Sequence, residues 1–279
     1  MIGTMNGPTT AIWHDVQRIR AEAPLVHNIT NYVVMNTTAN ALLAAGASPV
    51  MAHAIEEVEE MVGLARALVL NIGTLSAGWI ESMVRAGREA RRRGVPIVLD
   101  PVGSGATRLR TATVERLLAE APPTIIRGNA SEIRSLVYDE RATRGVDSTH
   151  DTEEAVAAAR ALAARCGCVI SVSGATDVIV AGDAAVRIRN GHRWMSRVTG
   201  MGCIATAITG AFAAVNPSPL RAAAHAMALC GIAGELAAER SQGPGTFQAA
   251  FLDALFLVEE GDLERRLRLE ESPRPEGEA

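Results

Sequence analysis

The chain has 279 residues, 48% of them apolar and only 3% aromatic, with a formal net charge of −4. A chain of this size can form a single α/β domain, with a core built from Ala, Val, Leu and Ile, and its interspersed charges leave no electrostatic footprint for nucleic acid. No stretch approaches about 18 apolar residues and no basic-then-apolar leader opens the chain, so neither a membrane span nor a signal peptide is expected.

In chain order, helix-period stretches alternate with short β-branched runs in the manner of βα units. A helix over 10–23 leads into a strand over 24–29, and a helix over 32–45 follows. Helix 55–67 and strand 68–72 come next, then helix 76–93, strand 96–99, helix 111–121 and strand 124–126. Helix 152–165, whose start is marked by Asp151 and Thr152, precedes strand 168–172. Strands 178–180 and 184–189 flank Gly182-Asp183, a hairpin on an otherwise parallel sheet. Helices over 203–215, 219–240 and 246–258 complete the pattern. One domain over 1–279 is expected, with disordered ends at 1–8 and from about residue 270 to 279. The four cysteines, Cys166, Cys168, Cys203 and Cys230, fit no zinc spacing and no secreted disulfide framework. The expected location is the cytoplasm.

Three strand ends carry chemistry. Residues 99–107 read LDPVGSGAT, with Asp100 closing a strand and two glycines opening the loop. Ligands of open α/β sheets bind at such carboxyl ends, where an aspartate can hold Mg²⁺ through water. A turn or capping Asp before Pro101 is the equal alternative. Residues 125–133 read IIRGNASEI. Asn129 and Glu132 have capping-box spacing; the functional alternative has Glu132 facing the same Mg²⁺ as Asp100, and Arg127 reaching phosphate oxygens. Residues 198–206 read VTGMGCIAT and run into a small-residue helix. There, Gly200 and Gly202 permit a tight turn, and the helix start offers N–H groups and a positive dipole end to an anion. By residue type alone, Met51 reads as core filler, His27 and His53 as structural histidines, and Cys166, Cys168 and Cys230 as small buried apolar residues.

The stretches PLVHNITNYVVMNTTANALLAAGASPVMAHA, ALVLNIGTLS, PIVLDPVGSGAT, IIRGNASEI, SVSGATDVI, RVTGMGC and GPGTFQ, in this order over residues 24–248, resemble the hydroxyethylthiazole kinases of thiamine salvage, members of the ribokinase-like group. The resemblance implies an α/β ribokinase-like fold, its mostly parallel central sheet covered by helices on both faces. It implies ATP-dependent phosphorylation of the primary alcohol of 4-methyl-5-(2-hydroxyethyl)thiazole, and a homotrimer with active sites between subunits. By position, Asn31, Val33, Met51 and Gly200 would line the thiazole pocket, Arg127 and Ser173 would bind ATP, and Asp100 and Glu132 would serve Mg²⁺.

Cys203, with Gly200 and Gly202, would form the catalytic turn. It stands where most ribokinase-like enzymes place an aspartate base. The loose transition state of phosphoryl transfer demands little proton abstraction, and a thiol at a helix N-terminus can have its pKa lowered toward neutrality. No phospho-cysteine is expected, since no partner base is assigned; His192 and His225 stay open as spatial neighbours. The alternatives are a ribokinase-like kinase of another small alcohol, such as hydroxymethylpyrimidine, and a binding module that has lost catalysis. A Rossmann dinucleotide site is disfavoured because its glycines belong after the first strand.

Overall fold

A computed structural model describes residues 7–138 and 151–272 of the protein. Its frame is one nine-stranded sheet, formed by β1 (Leu25–Ile29), β2 (Ser48–Val50), β3 (Ala67–Asn71), β4 (Ile97–Asp100), β5 (Ile125–Asn129), β6 (Val169–Ser173), β7 (Asp177–Ala181), β8 (Ala184–Ile188) and β9 (Leu269–Glu271). The order across the sheet is β2-β1-β3-β4-β5-β6-β7-β8-β9. The strands from β2 to β6 run parallel, whereas β6 to β9 pair antiparallel.

The inner parallel strands are apolar with little alternation because both of their faces are buried. Successive side chains point to opposite sides: Val69 and Val98 enter one core, while Leu68, Leu70, Ile97 and Leu99 enter the other. The first core is covered by α1 (Pro8–Glu22), α2 (Met35–Ala45), α8 (Met201–Val215), α9 (Pro219–Glu239), α10 (Pro244–Leu257) and α11 (Glu260–Arg266). The second lies under α3 (Val58–Leu64), α4 (Ala77–Arg93), α5 (Arg108–Glu120), α6 (Ala130–Ser135) and α7 (Asp151–Cys166). The low aromatic content matters most under α8. A Cβ at Gly210 would stand 2.7 Å from Cγ2 of Val69, so this helix lies against the sheet closely enough that only glycine fits.

The expected strands and helices recur with shifts of a few residues at their ends, and the 182–183 hairpin joins β7 to β8. The antiparallel region is larger than that one hairpin. β2, three residues long with Pro49 at its centre, carries too little pattern to be read, and its position at the sheet edge tolerates the proline. The expected disorder at both ends needs correction. Pro8 opens α1 at a position where its missing N–H costs nothing. Leu269–Glu271 is drawn into the sheet by pairing with β8, Ile188 opposite Leu269. The rest of those two expectations, 1–6 and 273–279, lies outside the described residues. Among the described residues no helix is long and apolar enough to cross a membrane.

Helices α1, α8 and α9 are tied by a buried polar pair. His225 Nδ1 donates to Asp15 Oδ2 at 2.6 Å, and Asn216 Nδ2 donates to the same oxygen at 2.6 Å. Burial alone would raise the Asp15 pKa, but the hydrogen bonds from His225 and Asn216 outweigh it and the net shift is downward. Removing one partner of such a buried pair strands the other, at a cost of about 3–5 kcal/mol. Asp15→Ala is therefore expected to lower the melting temperature by on the order of 10 °C at neutral pH. Because the folded pKa is depressed, the stabilisation is complete above the unfolded value and is lost as the pH falls through the folded one. Thermal melts of both proteins between pH 7 and 3 should show the gap closing at the acid end; a constant gap would show that ionisation of Asp15 plays no part.

Candidate active site

The register of the parallel strands brings the candidate residues to one edge. Asn71 and Asp100, the last residues of β3 and β4, are opposite one another, and Asn129 is opposite Ser173 at the ends of β5 and β6. Over this edge lies a cavity of about 680 Å³ whose walls include Asp100, Arg127, Glu132, Ser173, Gly200, Gly202 and Cys203. That volume is within the usual range for a small-molecule site.

Arg127 is 8% exposed, and its Nε has no hydrogen-bond partner among the described residues. It is a buried cation with donors to spare beside a cavity. Gly202 makes room for it: a Cβ there would stand 2.8 Å from Nη1 of Arg127. The expectation of a two-glycine turn thus needs correction. Only Gly200 is in the left-handed region, at φ +86°, as N-cap of α8, whereas Gly202 is already inside the first turn of that helix. Gly200 is doubly constrained, since a Cβ would also lie 2.6 Å from Cγ1 of Val34. The first helical bond of α8 runs from Ile204 N to Gly200 O, so the N–H groups of Met201, Gly202 and Cys203 have no partner within the helix.

Asp100 is 2% exposed and accepts hydrogen bonds at Oδ2 from Asn71 Nδ2 at 2.7 Å and Thr206 Oγ1 at 2.8 Å. Its Oδ1 accepts none among the described residues, and Asp100 is part of the cavity wall. Burial pushes its pKa up to about 6, with the nearby Glu132 charge adding to the rise, while Arg127, Thr206 and Asn71 hold it back. Asp100 ends β4 and caps no helix among the described residues. Glu132 is the capping residue that its spacing suggests, with Oε2 accepting from Asn129 N at 2.8 Å. It does a second job as well: Oε1 accepts from Gly103 N at 2.9 Å and pins the loop after β4. Ser173 Oγ donates to Gly128 O at 3.3 Å.

The lowering that a helix start can give a thiol is not what Cys203 shows. Burial pushes its thiol up to about 11, the Asp100 charge adds to the rise, and hydrogen bonds and Arg127 offset only part of it. The helix start cannot compensate for desolvation beside a carboxylate. Asn31 Nδ2 donates to Cys203 Sγ at 3.5 Å. His192 lies on the same cavity with its ring accepting from Trp194 N, and His225 is spent on Asp15; among the described residues neither is bonded to Cys203.

Asn31 adjoins the cavity through that sulfur contact, but Asn31, Val33 and Met51 are not among its walls. Val33 is 63% exposed, and Met51 is half-buried outside both cores, so core filler is the wrong reading of that methionine. The structure also adds Asp177, at the start of β7, whose Oδ1 accepts from Gly174 N at 3.0 Å and whose pKa burial raises to about 6. Arg110 is a further addition, donating to the carbonyls of Ile72, Gly73 and Val102. It clamps the loops after β3 and β4 from the first turn of α5, a role that depends on carbonyls distant in sequence.

A parallel sheet with ligand groups at its carboxyl edge and an antiparallel flank defines a ribokinase-like kinase fold. Among solved structures, the pyridoxal kinase from Staphylococcus aureus in complex with ADP shares it with a TM-score of 0.61, 16% identity, and coverage of 89% of this chain and 97% of that one. The structure of the hydroxyethylthiazole kinase protein from Pyrococcus horikoshii OT3 is far nearer, with a TM-score of 0.88, 44% identity, and coverage of 95% and 100%. The hydroxyethylthiazole kinase of Syntrophus aciditrophicus (strain SB) is 60% identical over 258 residues, 92% of this chain and 96% of that protein. The model of the hydroxyethylthiazole kinase family matches residues 16–260. The chain belongs to the hydroxyethylthiazole kinase family, and it is a kinase.

The two glycines are expected to fail differently when changed. Gly202→Ala meets only the far end of a flexible side chain, so the fold survives while the Arg127 guanidinium is displaced; KM for ATP should rise about tenfold with stability changed by less than about 1 kcal/mol. Gly200→Ala adds left-handed strain to a clash with Val34 and should lower stability by about 1–3 kcal/mol. Steady-state kinetics and melting curves on both variants check this, and equal losses of stability would refute it.

Proposed function

We propose that this cavity is where ATP phosphorylates the primary alcohol of hydroxyethylthiazole, in thiamine salvage. Family membership supplies the reaction; the observation that carries the location is the buried Arg127, whose Nε has no partner among the described residues, beside the N–H groups at the start of α8 that have no partner within the helix. Three phosphates are the kind of anion that such a buried cation and helix start would hold. Ser173, at the neighbouring strand end, would add a hydroxyl.

Mg²⁺ fits the donor set. Among the described residues no group of three or more His, Cys, Asp or Glu forms a protein cage, and Mg²⁺ ordinarily uses one or two carboxylates, with waters and substrate phosphates filling the rest. Asp100 would supply Oδ1 directly or through water, and Glu132, whose oxygens already serve two backbone N–H groups, would act through its charge. Bound Mg²⁺ would neutralise negative charge on the phosphates and favour the ionised form of Asp100.

The alcohol would lie on the other side of Cys203, toward Asn31, Val33 and Met51. Val33 and the neighbouring Tyr32 are among the exposed large hydrophobics, which suits a pocket completed by another subunit, and a homotrimer with sites between subunits is the assembly we infer. A cytoplasmic location accords with the substrates. Cys203 remains a neutral thiol at working pH, so it would not act as a base; it orients the hydroxyl, while Arg127 and the α8 N–H groups stabilise charge on the transferring phosphoryl.

General bases are worth about 10²–10⁴ in rate. Cys203→Ala is therefore expected to lower kcat by less than about 10² without changing the pH dependence between 6 and 9; a loss of 10³ or more would restore the base role. ATP consumption should be greatest with hydroxyethylthiazole when compared with hydroxymethylpyrimidine and pyridoxal. Thiazole binding with no ATP turnover in the presence of Mg²⁺ would instead identify a binding module.

A further inference from the structure

A row of buried amides and carboxylate crosses the sheet edge beneath the site. Asn31 follows β1, Asn71 ends β3 and Asp100 ends β4. Strand order places them side by side, and each is 4% exposed or less. Asn71 Nδ2 donates to Asp100 Oδ2 at 2.7 Å, and Asn71 Oδ1 accepts from Asn31 Nδ2 at 2.8 Å. Asn31 Nδ2 also donates to Cys203 Sγ.

Two backbone N–H groups set the direction of this row. Gly73 N, which can only donate, is 2.9 Å from Asn71 Oδ1, and Val33 N is 3.1 Å from Asn31 Oδ1. The acceptor end of each amide is thereby assigned, and each Nδ2 must donate onward. Asn71 and Thr206 together occupy Oδ2 of Asp100, which decides that Oδ1 is the oxygen left for the cavity. At its other end Asn71 takes one of the two Asn31 N–H bonds and leaves the second for Cys203. The fit is close: a Cβ at Gly73 would lie 2.6 Å from Asn31 Nδ2.

We infer that Asn71 is a positioning residue that couples the two halves of the site, so that each substrate binds more tightly when the other is in place. This rests on the reading given above, with metal and nucleotide at Asp100 and the alcohol at Cys203. Asn71 touches neither substrate. It is the shared partner through which the orientation of the Asp100 carboxylate and the Asn31–Cys203 contact are held together, and a group with two such dependants transmits order from one to the other.

The test is calorimetric binding of hydroxyethylthiazole to the enzyme alone and to the enzyme saturated with Mg²⁺ and a non-hydrolysable ATP analogue, with the converse titration as a check. Wild-type affinity for either ligand should rise about fivefold or more in the presence of the other. Asn71→Ala should keep each single-ligand affinity within about threefold and reduce the mutual enhancement to less than about twofold. Asn71→Ser interrupts the row with another side chain and should do the same, so the test survives the misfolding of either variant. A merely structural role would weaken both ligands and leave their ratio intact. A folded Asn71 variant with wild-type enhancement, or a wild type without any, overturns the inference. Asp100→Ala and Cys203→Leu separate this from failure of the site reading: the first must weaken the nucleotide analogue and the second the thiazole. If neither does, the site reading falls; if both do and the enhancement survives in Asn71→Ala, the coupling role alone falls.

Discussion

The candidate site is built around one guanidinium that is buried and largely uncommitted. Arg127 lies inside β5 at 8% exposure, and a desolvated cation whose Nε has no hydrogen-bond partner among the described residues is costly to hold. Its surroundings offset that cost at a distance: Asp100 and Asp177 face it closely enough that its charge holds back their own rises in pKa. An anionic substrate would complete the compensation. Gly202 follows from the same constraint, since any Cβ there would contend with the guanidinium. The Cys203 thiol is set by its own burial first, with the Asp100 charge adding to the rise and Arg127 offsetting part of it.

The division of the sheet explains where this cleft can form. From β2 to β6 every strand points the same way, so the loops after β3, β4, β5 and β6 converge on one edge. The β7–β8 hairpin turns the chain back and sends it through Asn190 and Gly191, where a Cβ at Gly231 would collide with the Asn190 backbone. That close approach brings α9 and the 190–196 segment to the far wall of the cavity. Arg110 and Glu132 then fasten the loops themselves, the first by three carbonyl contacts and the second by two backbone N–H bonds. Strands and fastened loops hold these donors in fixed places, the arrangement that electrostatic catalysis at the proposed site would require.

Much of the candidate site is legible from motifs because most of its members end strands or begin helices, Arg127 within β5 being the exception. Asp100, Arg127, Glu132, Ser173 and the Gly200–Cys203 segment all gather on one cavity. What escaped was of two kinds. Asn71 and Arg110 are ordinary polar residues within a strand and a helix, and their roles arise from neighbours 29 and 40 residues away in the case of Asn71. Cys203 was misjudged electrostatically. A helix start argues for a lower pKa, and the sequence does not reveal how deeply the thiol is desolvated or that Asp100 lies beside it.

By itself the sequence determined the alternation of βα units, the glycine and proline punctuation, the family and the residue types able to hold phosphate and metal. These are local properties, set by side-chain period, backbone freedom and chemical type. Only the tertiary structure decided the register that places Asn71 against Asp100, the pairing that draws 269–271 into the sheet, and the burial that keeps Cys203 protonated. Each of these depends on which distant segment is the neighbour and how much water it displaces, and pairing and desolvation are properties of the assembled fold.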